Sequence, residues 1–115
     1  MSEEKPIKVL LVCALGMSSS LLEGKTIEAA AAQGVTMEIE AITTPDVARW
    51  DFGVHRVDIV LVAPQVRYKR KSIAQAAAPY GIVVQDIDPV IFGMVDGEAL
   101  FQQIREALQG SAAAG

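Results

Sequence analysis

The chain has 115 residues, which fits a single domain, and its 51% hydrophobic and 21% charged residues indicate a globular protein rather than a disordered one. The formal net charge of -4 argues against a general nucleic-acid-binding surface. A single cysteine cannot form an internal disulfide, so its presence fits a reducing compartment.

The amino-terminal residues MSEEKPIK lack the basic stretch and the long apolar stretch of a signal peptide. The apolar run at residues 9–17 is shorter than the roughly 20 residues that a membrane-spanning helix needs. We therefore expect a cytoplasmic protein without direct membrane insertion, and docking to a membrane protein stays open.

The first predicted strand covers residues 7–12 (IKVLLV), which are almost wholly apolar and typical of a strand buried on both faces. Ser20 and Glu23 fit a capping box and predict a helix that runs to Gln33 and ends at Gly34. The buried stripe of this helix is predicted to include Leu22, Ile27, Ala30 and Ala31.

Residues 36–42 (TMEIEAI) alternate between apolar and polar, which predicts a strand at an edge of the sheet. Residues 44–46 (TPD) are typical of a helix start and predict a short helix capped by Thr44. Residues 57–63 (VDIVLVA) predict a second buried strand. Trp50 and Phe52 lie between the short helix and this strand, and they are expected to cover an end of the core or to form an interface patch.

The second half of the chain continues the alternation of helices and strands. Pro64 and Gln65 form a turn, and a helix is predicted over residues 66–78 that ends at the PYG of residues 79–81. A fourth strand is predicted at residues 82–87. Residues 88–89 are expected to break this strand, and residues 90–92 to form a short helical turn. A last helix is predicted from the cap Asp96 to Leu108, with Leu100, Ile104 and Leu108 on one face. The residues after Leu108 are expected to form a frayed tail.

This β-α-β-α-β-α-β-α order predicts a single α/β domain over residues 1–115, with an ordered core of about residues 7–108 and a parallel sheet with helices on both faces. In such sheets, ligands bind beyond the carboxyl ends of the strands. Cys13 directly follows the first predicted strand. The only thiol of the chain is therefore expected where a functional site is expected.

The loop after Cys13 has the composition of an anion-binding loop. A free thiol has a pKa near 8.5, and a nearby helix N-terminus lowers that pKa. Peptide N–H groups of residues 14–20 could surround the sulfur, Gly16 would allow a close approach of the backbone, and Ser18, Ser19 and Ser20 could donate hydroxyls. Such a loop would stabilise a thiolate or a phosphoryl group on the sulfur. The alternative is a buried cysteine with a packing role only.

Two alternative functions are considered for this arrangement. A low-molecular-weight cysteine phosphatase places an arginine six residues after its cysteine, but here Ser19 stands at that position and the loop has no arginine. A non-catalytic module of receiver or flavodoxin-like shape is the second alternative, although a receiver needs acidic residues where Val12 and Cys13 stand. The missing arginine favours a loop that receives a phosphoryl group and passes it on.

Three segments resemble one known family: CALGMSSSLL at residues 13–22, DIVLVAPQVRYK at 58–69 and IDPVIFGMVDG at 87–97. The family is the IIB component of the lactose/cellobiose/chitobiose class of the bacterial sugar phosphotransferase system, and the resemblance covers nearly all of residues 7–108. It implies a three-layer fold with strand order 2-1-3-4 and a phosphatase-like phosphate loop after strand 1.

The resemblance also implies a relay. A phosphohistidine on a IIA protein gives its phosphoryl group to Cys13, which passes it to a sugar, a disaccharide of the cellobiose, lactose or chitobiose type, bound by the membrane permease IIC. Phosphoryl transfer needs in-line positioning and neutralised oxygens, which backbone N–H groups can supply. The residues that match the phosphate-binding loop are Ala14, Leu15, Gly16, Met17, Ser18, Ser19 and Ser20.

Four of the ten basic residues of the chain lie within residues 67–71. Cations in a first helical turn oppose the helix dipole, which suggests that they meet an acidic or phosphorylated partner; a solvated helix face is the alternative. A partner-binding rim beside the thiol loop is therefore predicted from Gln65, Arg67, Tyr68 and Lys69.

Other polar residues are given structural roles. His55 is expected at the surface, and Asp86, Asp88 and Asp96 are expected to be strand-end, turn and cap residues rather than catalytic acids. No set of His, Cys and carboxylate residues has metal-ligand spacing, so we expect neither a metal nor a cofactor. We expect a monomer.

Overall fold

The structure is a computed structural model, and it describes residues 5–14 and 20–114, with side chains as far as Gln109. Its strands are β1 (Ile7–Cys13), β2 (Met37–Thr43), β3 (Ile59–Val62) and β4 (Val83–Asp86). Its α-helices are α1 (Ser20–Ala32), α2 (Thr44–Val47), α3 (Arg70–Ala77), α4 (Pro89–Met94) and α5 (Gly97–Ala114). Two 3-10 segments, Pro64–Lys69 and Ala78–Tyr80, flank α3.

The four strands form one parallel sheet in the order β2-β1-β3-β4, as expected. The register pairs Cys13 with Thr43, Val12 with Val62, and Val62 with Asp86. The carboxyl ends of all four strands therefore meet at one side of the sheet, which we call the carboxyl edge; the opposite side is the amino edge. The predicted α/β fold class and strand order are confirmed.

The core lies on both faces of the sheet, because β1 points alternate side chains in opposite directions. Leu10 and Leu11 are both buried, but they belong to different hydrophobic clusters. One cluster joins the sheet to α1 and α5 and includes Leu100, Phe101 and Ile104. The other joins it to α2, α3 and the loop before β3 and includes Val47, Phe52 and Ile73. The prediction that β1 is buried on both faces is confirmed.

Helices α1 and α5 pack closely at Gly97. A Cβ atom on Gly97 would lie 2.5 Å from the backbone N of Thr26, so only glycine fits. Thr26 is fully buried, and its hydroxyl donates to the Leu22 carbonyl at 2.7 Å. The prediction that Ala31 belongs to the buried stripe is wrong, because the buried residues follow a spacing of four: Leu22, Thr26 and Ala30.

The segment after β3 is not the continuous α-helix that was predicted for residues 66–78. It begins as the 3-10 segment, in which Val66 has the non-helical angles φ -124° and ψ 21°. The Val66 side chain is buried in the core, and its backbone leaves the helical region to place it there. Only Arg70–Ala77 is α-helical. Arg67 and Lys69 therefore precede the helix, and only Arg70 and Lys71 lie in its first turn.

Several boundaries also differ from the prediction. Strands β3 and β4 are shorter than residues 57–63 and 82–87. The cap residue of α2 is Thr43, in an extended conformation, rather than Thr44. Helix α5 continues to Ala114 beyond the predicted end at Leu108, through an alanine-rich segment of high helix propensity. Among the described residues, no helix is both long and apolar enough to cross a membrane.

Candidate functional site

Cys13 is the last residue of β1 and lies at the carboxyl edge. Its side chain is 5% exposed and packs with Leu11 and its neighbours on the α1–α5 side of the sheet. The sulfur lies 4.0 Å from the Leu11 carbonyl oxygen. Ala14, the next residue, packs partly buried against the cluster on the opposite face. The thiol is therefore buried in the part of the core that lies nearest to the carboxyl edge.

The predicted phosphate loop is described only at its two ends. Ala14 follows β1, and Ser20 begins α1, while Leu15, Gly16, Met17, Ser18 and Ser19 lie outside the described residues. Helix α1 contains 13 residues and has Glu23 in its first turn. A long helix therefore begins at the carboxyl side of the strand that carries Cys13, and its N-terminus carries the positive end of the helix dipole.

The turn after β3 is hydrogen-bonded to β1 beside Cys13. The backbone N of Ala63 donates to the Val12 carbonyl at 2.9 Å, and the N of Val66 donates to the Ala63 carbonyl at 3.0 Å. These bonds hold the Ala63-Pro64-Gln65 turn against the end of β1. The segment that carries the predicted partner-binding rim is therefore next to the strand that carries the thiol.

All four predicted rim residues are exposed: Gln65, Arg67, Tyr68 and Lys69. They lie in the 3-10 segment at the carboxyl edge, and the Tyr68 side chain is 73% exposed. Arg70, in the same basic run, has a separate explanation. Its Nε forms an ion pair with Asp86 Oδ2 at 3.2 Å and ties the start of α3 to the end of β4.

Exposed apolar side chains follow three of the strand ends. They are Leu21 after β1, Tyr68 after β3, and Val90 and Met94 after β4. Sequence reasoning identified Tyr68 and missed the other three. Val90 and Met94 are four residues apart and therefore share one face of α4, a signal that the sequence PVIFGM already contained.

Three aspartates have structural roles, as predicted, although Asp88 is a helix cap rather than a turn residue. Asp88 caps α4, since its Oδ1 accepts from the backbone N of Val90 at 2.7 Å. Asp96 caps α5, since its Oδ1 accepts from the backbone N of Ala99 at 3.0 Å. Asp86 ends β4 and binds Arg70.

The histidine of the chain is far from Cys13 along the strands, because the loop that carries it leads into the start of β3 at the amino edge. His55 is exposed, as predicted, and its ring lies 5.2 Å from the Trp50 ring. Trp50 Nε1 donates to the His55 carbonyl at 3.2 Å. Phe52 is buried and covers the core, which confirms one of the two roles considered for it.

Within residues 5–14 and 20–114, no group of three or more His, Cys, Asp or Glu side chains is placed to hold a metal ion. The carboxyl edge holds the Cys13 thiol at the end of β1, the strand that leads to α1, and exposed cations and apolar side chains follow the ends of β3 and β4. This arrangement suits a group that is received from one protein and delivered to another.

The comparisons with known proteins agree with this arrangement. Residues 8–103 match the family model described as "PTS system, Lactose/Cellobiose specific IIB subunit". The chain is 38% identical over 96 residues to the PTS system oligo-beta-mannoside-specific EIIB component of Bacillus subtilis (strain 168), a match that covers 84% of this chain and 90% of the relative.

Two further similarities concern other sugars. The PTS system galactose-specific EIIB component of Lactococcus lactis subsp. cremoris is 35% identical over 92 residues, covering 78% of this chain and 85% of the relative. The solution structure of the cellobiose-specific phosphotransferase IIB component from Borrelia burgdorferi superposes with a TM-score of 0.70 at 31% identity, covering 93% of this chain and 95% of that one.

Proposed function

The chain belongs to the lactose/cellobiose-specific IIB family of the phosphotransferase system and is a phosphocarrier of sugar transport, and we propose that Cys13 is the residue that carries the phosphoryl group. The observation that carries this proposal is the position of Cys13, the only sulfur nucleophile in the sequence, at the end of β1 on the carboxyl edge. Ligands of parallel α/β sheets bind at that edge.

The proposed reaction has two transfers through the same sulfur. In the first, the Cys13 thiolate attacks the phosphorus of a phosphohistidine on a IIA protein; an S–P bond forms, the N–P bond breaks, and the imidazole leaves with the electron pair. In the second, a sugar hydroxyl attacks the phosphocysteine; an O–P bond forms, the S–P bond breaks, the thiolate returns and the hydroxyl proton is released. Both steps need in-line alignment and neutralised phosphoryl oxygens.

We propose that residues 14–20 bind these oxygens. Peptide N–H groups of the loop and the hydroxyls of Ser18, Ser19 and Ser20 are the donors, with Ala14, Leu15, Gly16 and Met17 contributing main-chain groups. The start of the 13-residue helix α1 at Ser20 supports this, because a helix N-terminus favours a bound anion.

We propose that the rim of Gln65, Arg67, Tyr68 and Lys69 meets the IIA donor. The two cations are exposed, and the turn that precedes them is held against β1 by the hydrogen bond from Ala63 N to the Val12 carbonyl. Phosphorylation makes the donor's histidine site anionic, so cations near Cys13 favour the encounter.

The acceptor in this proposal is a disaccharide of the cellobiose, lactose or chitobiose type, held by the IIC membrane permease. The protein acts in the cytoplasm as a monomer. The relative named for cellobiose supports this class of sugar, and the relatives named for oligo-beta-mannoside and galactose carry the names of other sugars. The sugar contacts in this scheme belong to the permease.

The first experiment tests Cys13 directly. The protein is incubated with phosphoenolpyruvate and the relay proteins of the system, including IIA, and its intact mass is measured. The wild type should gain one phosphoryl group, and Cys13→Ser should gain none. A phosphoryl group retained on Cys13→Ser would contradict the proposal.

The second experiment tests delivery. Phosphorylated protein should lose its phosphoryl group to a sugar only when membrane vesicles containing the permease are also present. Release as inorganic phosphate without sugar or permease, together with turnover of an aryl phosphate, would instead identify a cysteine phosphatase.

A further inference from the structure

The rim lies on a segment with little support of its own. The 3-10 segment Pro64–Lys69 has six residues, and Val66 is the one among them that is buried. Runs of 3-10 helix longer than about three or four residues are uncommon, because their hydrogen-bond geometry is poorer than that of an α-helix. How firmly the exposed residues 67–69 are held therefore depends on contacts outside the segment.

Two anchors flank residues 67–69. Before them, the Val66 side chain is buried in the core cluster that joins the sheet to α3. After them, Arg70 Nε forms an ion pair with Asp86 Oδ2 at 3.2 Å, and Asp86 is the last residue of β4. The exposed part of the rim therefore lies between a core contact and an ion pair with a second strand.

The rim follows the first turn of α3, because local hydrogen bonds join the two. The backbone N of Arg70 donates to the Arg67 carbonyl, and Ser72 Oγ donates to the Lys69 carbonyl at 3.0 Å. Neither of these bonds reaches the sheet. Ile73 packs in the core three residues later, whereas the Arg70 ion pair ties the first residue of the helix to β4.

Asp86 is itself held in place from two sides. In the sheet it is paired with Val62, and Gln103 Nε2 of α5 donates to its carbonyl and to Gln85 Oε1, both at 2.9 Å. Asp86 Oδ1 and Gln103 Oε1 are buried and have no hydrogen-bond partner in the described part of the chain. Among the described residues, Arg70 is the cation that pairs with the Asp86 carboxylate, so this contact offsets the cost of partly burying that charge.

We propose that Arg70 is a positioning residue for the transfer from IIA to Cys13: paired with Asp86, it holds the rim in the conformation that meets the phosphorylated donor. This inference rests on the proposed function and gives Arg70 an indirect role, whereas Arg67 and Lys69 face the donor directly. The competing role for Arg70 is also a direct one, in which its own charge attracts the donor. The two roles predict opposite effects of removing the Asp86 carboxylate.

The sign of the effect of Asp86→Asn separates the two roles. This substitution keeps Arg70 and removes a negative charge from the edge that receives an anionic partner. If Arg70 attracted the donor directly, the loss of the carboxylate would speed the encounter, because it frees the cation and removes a repulsive charge. If Arg70 positions the rim, the same change weakens the ion pair and slows the encounter.

The experiment mixes the protein with an excess of phosphorylated IIA and follows the phosphoryl group on Cys13 by rapid quench over a range of IIA concentrations. For Asp86→Asn we expect the IIA concentration at half-maximal rate to rise about three-fold, the size expected of a partly exposed ion pair. The limiting rate should stay unchanged, because the groups that bind the phosphoryl oxygens are untouched. Urea unfolding checks that each variant is folded.

Asp46→Asn is the matched control. Asp46 also ends an exposed ion pair at the carboxyl edge, with Arg49 at 3.9 Å, but it lies in α2 after β2 and does not contact the rim segment. The substitution removes the same charge and should not slow the transfer. Equal slowing by Asp46→Asn, or transfer by Asp86→Asn at the wild-type rate or faster, would overturn the inference while leaving the relay intact.

Arg70→Gln completes a double-mutant cycle. By itself it should raise the half-maximal IIA concentration, and in its presence Asp86→Asn should cause no further slowing, because the ion pair is already absent. Fully additive slowing by the two substitutions would show that they act independently and would overturn the inference.

Trypsin reports on the rim before any transfer. Cleavage after Arg67 and Lys69 should be faster in Asp86→Asn than in the wild type, because a segment that has lost an anchor opens more often. Asp46→Asn should be cleaved at the wild-type rate. Unchanged cleavage of Asp86→Asn would contradict positioning as the cause of a slower transfer.

Failure of the proposed function would look different from failure of this inference. If the wild type did not become phosphorylated on Cys13, the proposed function would fall, and this inference with it. If the wild type were phosphorylated but Lys69→Glu accepted the phosphoryl group as fast as the wild type, the assignment of IIA to the rim would fall. Slower transfer by Lys69→Glu without slower transfer by Asp86→Asn would remove the role of Arg70 alone.

Discussion

The two edges of the sheet differ in how their polar and apolar groups are used. At the amino edge, polar groups pair within the chain: Asp58 Oδ2 accepts from the Lys8 backbone N at 2.8 Å, and Trp50 Nε1 binds the His55 carbonyl. At the carboxyl edge, Tyr68, Val90 and Met94 are exposed, and two buried oxygens lack partners among the described residues. Val54, next to His55 at the amino edge, is also exposed, so the two edges differ in the pairing of their polar groups rather than in apolar exposure.

The variants below test this contrast. Charge reversal on the rim at the carboxyl edge should affect phosphoryl transfer, whereas changes at the amino edge should leave it unchanged. The variants at Gly97 and Asp96 concern the packing and capping of α5.

Gly97→Ala should have the largest effect on stability. The new Cβ would meet the backbone at Lys25 and Thr26, which cannot yield as a side chain can, so we expect the free energy of unfolding to fall by about 3 kcal/mol. Because the loop after Cys13 leads directly into α1, a shift of α1 should also slow phosphorylation of the folded variant. Urea unfolding and the IIA transfer rate measure the two effects.

Gly24→Ala is the control, since a Cβ on Gly24 meets nothing within 4 Å. Alanine there should raise the free energy of unfolding by up to about 1 kcal/mol through helix propensity. Similar destabilisation by both substitutions would show that the close contact at Gly97 is not what holds α1 against α5.

Lys69→Glu tests whether charge at the carboxyl edge, rather than at the amino edge, controls the transfer from IIA. We expect transfer from IIA to Cys13 to slow about five-fold at low salt, because a rim cation becomes an anion facing a phosphorylated partner. Arg56→Glu makes the same charge change at the amino edge and should leave the rate unchanged. If both variants were equally slow, net charge rather than the rim would govern the encounter.

Asp96→Ala removes the cap of α5 and should lower the free energy of unfolding by about 1 kcal/mol, because the Ala99 N–H loses its acceptor. Asp96→Asn keeps an acceptor oxygen and should recover most of the loss. Chemical denaturation measures both, and equal losses for Ala and Asn would mean that the charge rather than the hydrogen bond matters.

Trp50→Phe should have the smallest effect. It keeps an aromatic ring but removes the half-exposed donor to the His55 carbonyl, so we expect a loss of about 0.5 kcal/mol and no change in either phosphoryl transfer. A slower transfer would place part of the functional surface at the amino edge and would break the contrast drawn above.

Local patterns in the sequence determined much of the fold and the place of the site. The apolar run of β1 predicted a strand buried on both faces, and its end predicted the position of Cys13 at the carboxyl edge. The glycines at 34 and 81 have the positive φ angles expected at helix ends. Each of these features depends on residues that are neighbours in the chain.

Tertiary contacts decided what those patterns left open. Thr26 rather than Ala31 is buried because α5 crosses α1 at Gly97, and the segment after β3 becomes a 3-10 segment around the buried Val66. The ion pair of Arg70 with Asp86 and the hydrogen bond from Gln103 Nε2 to the Asp86 carbonyl join residues that are distant in sequence. Periodicity and capping act over about one helical turn, whereas burial and partner choice depend on which element packs against which, so only the folded chain determines them.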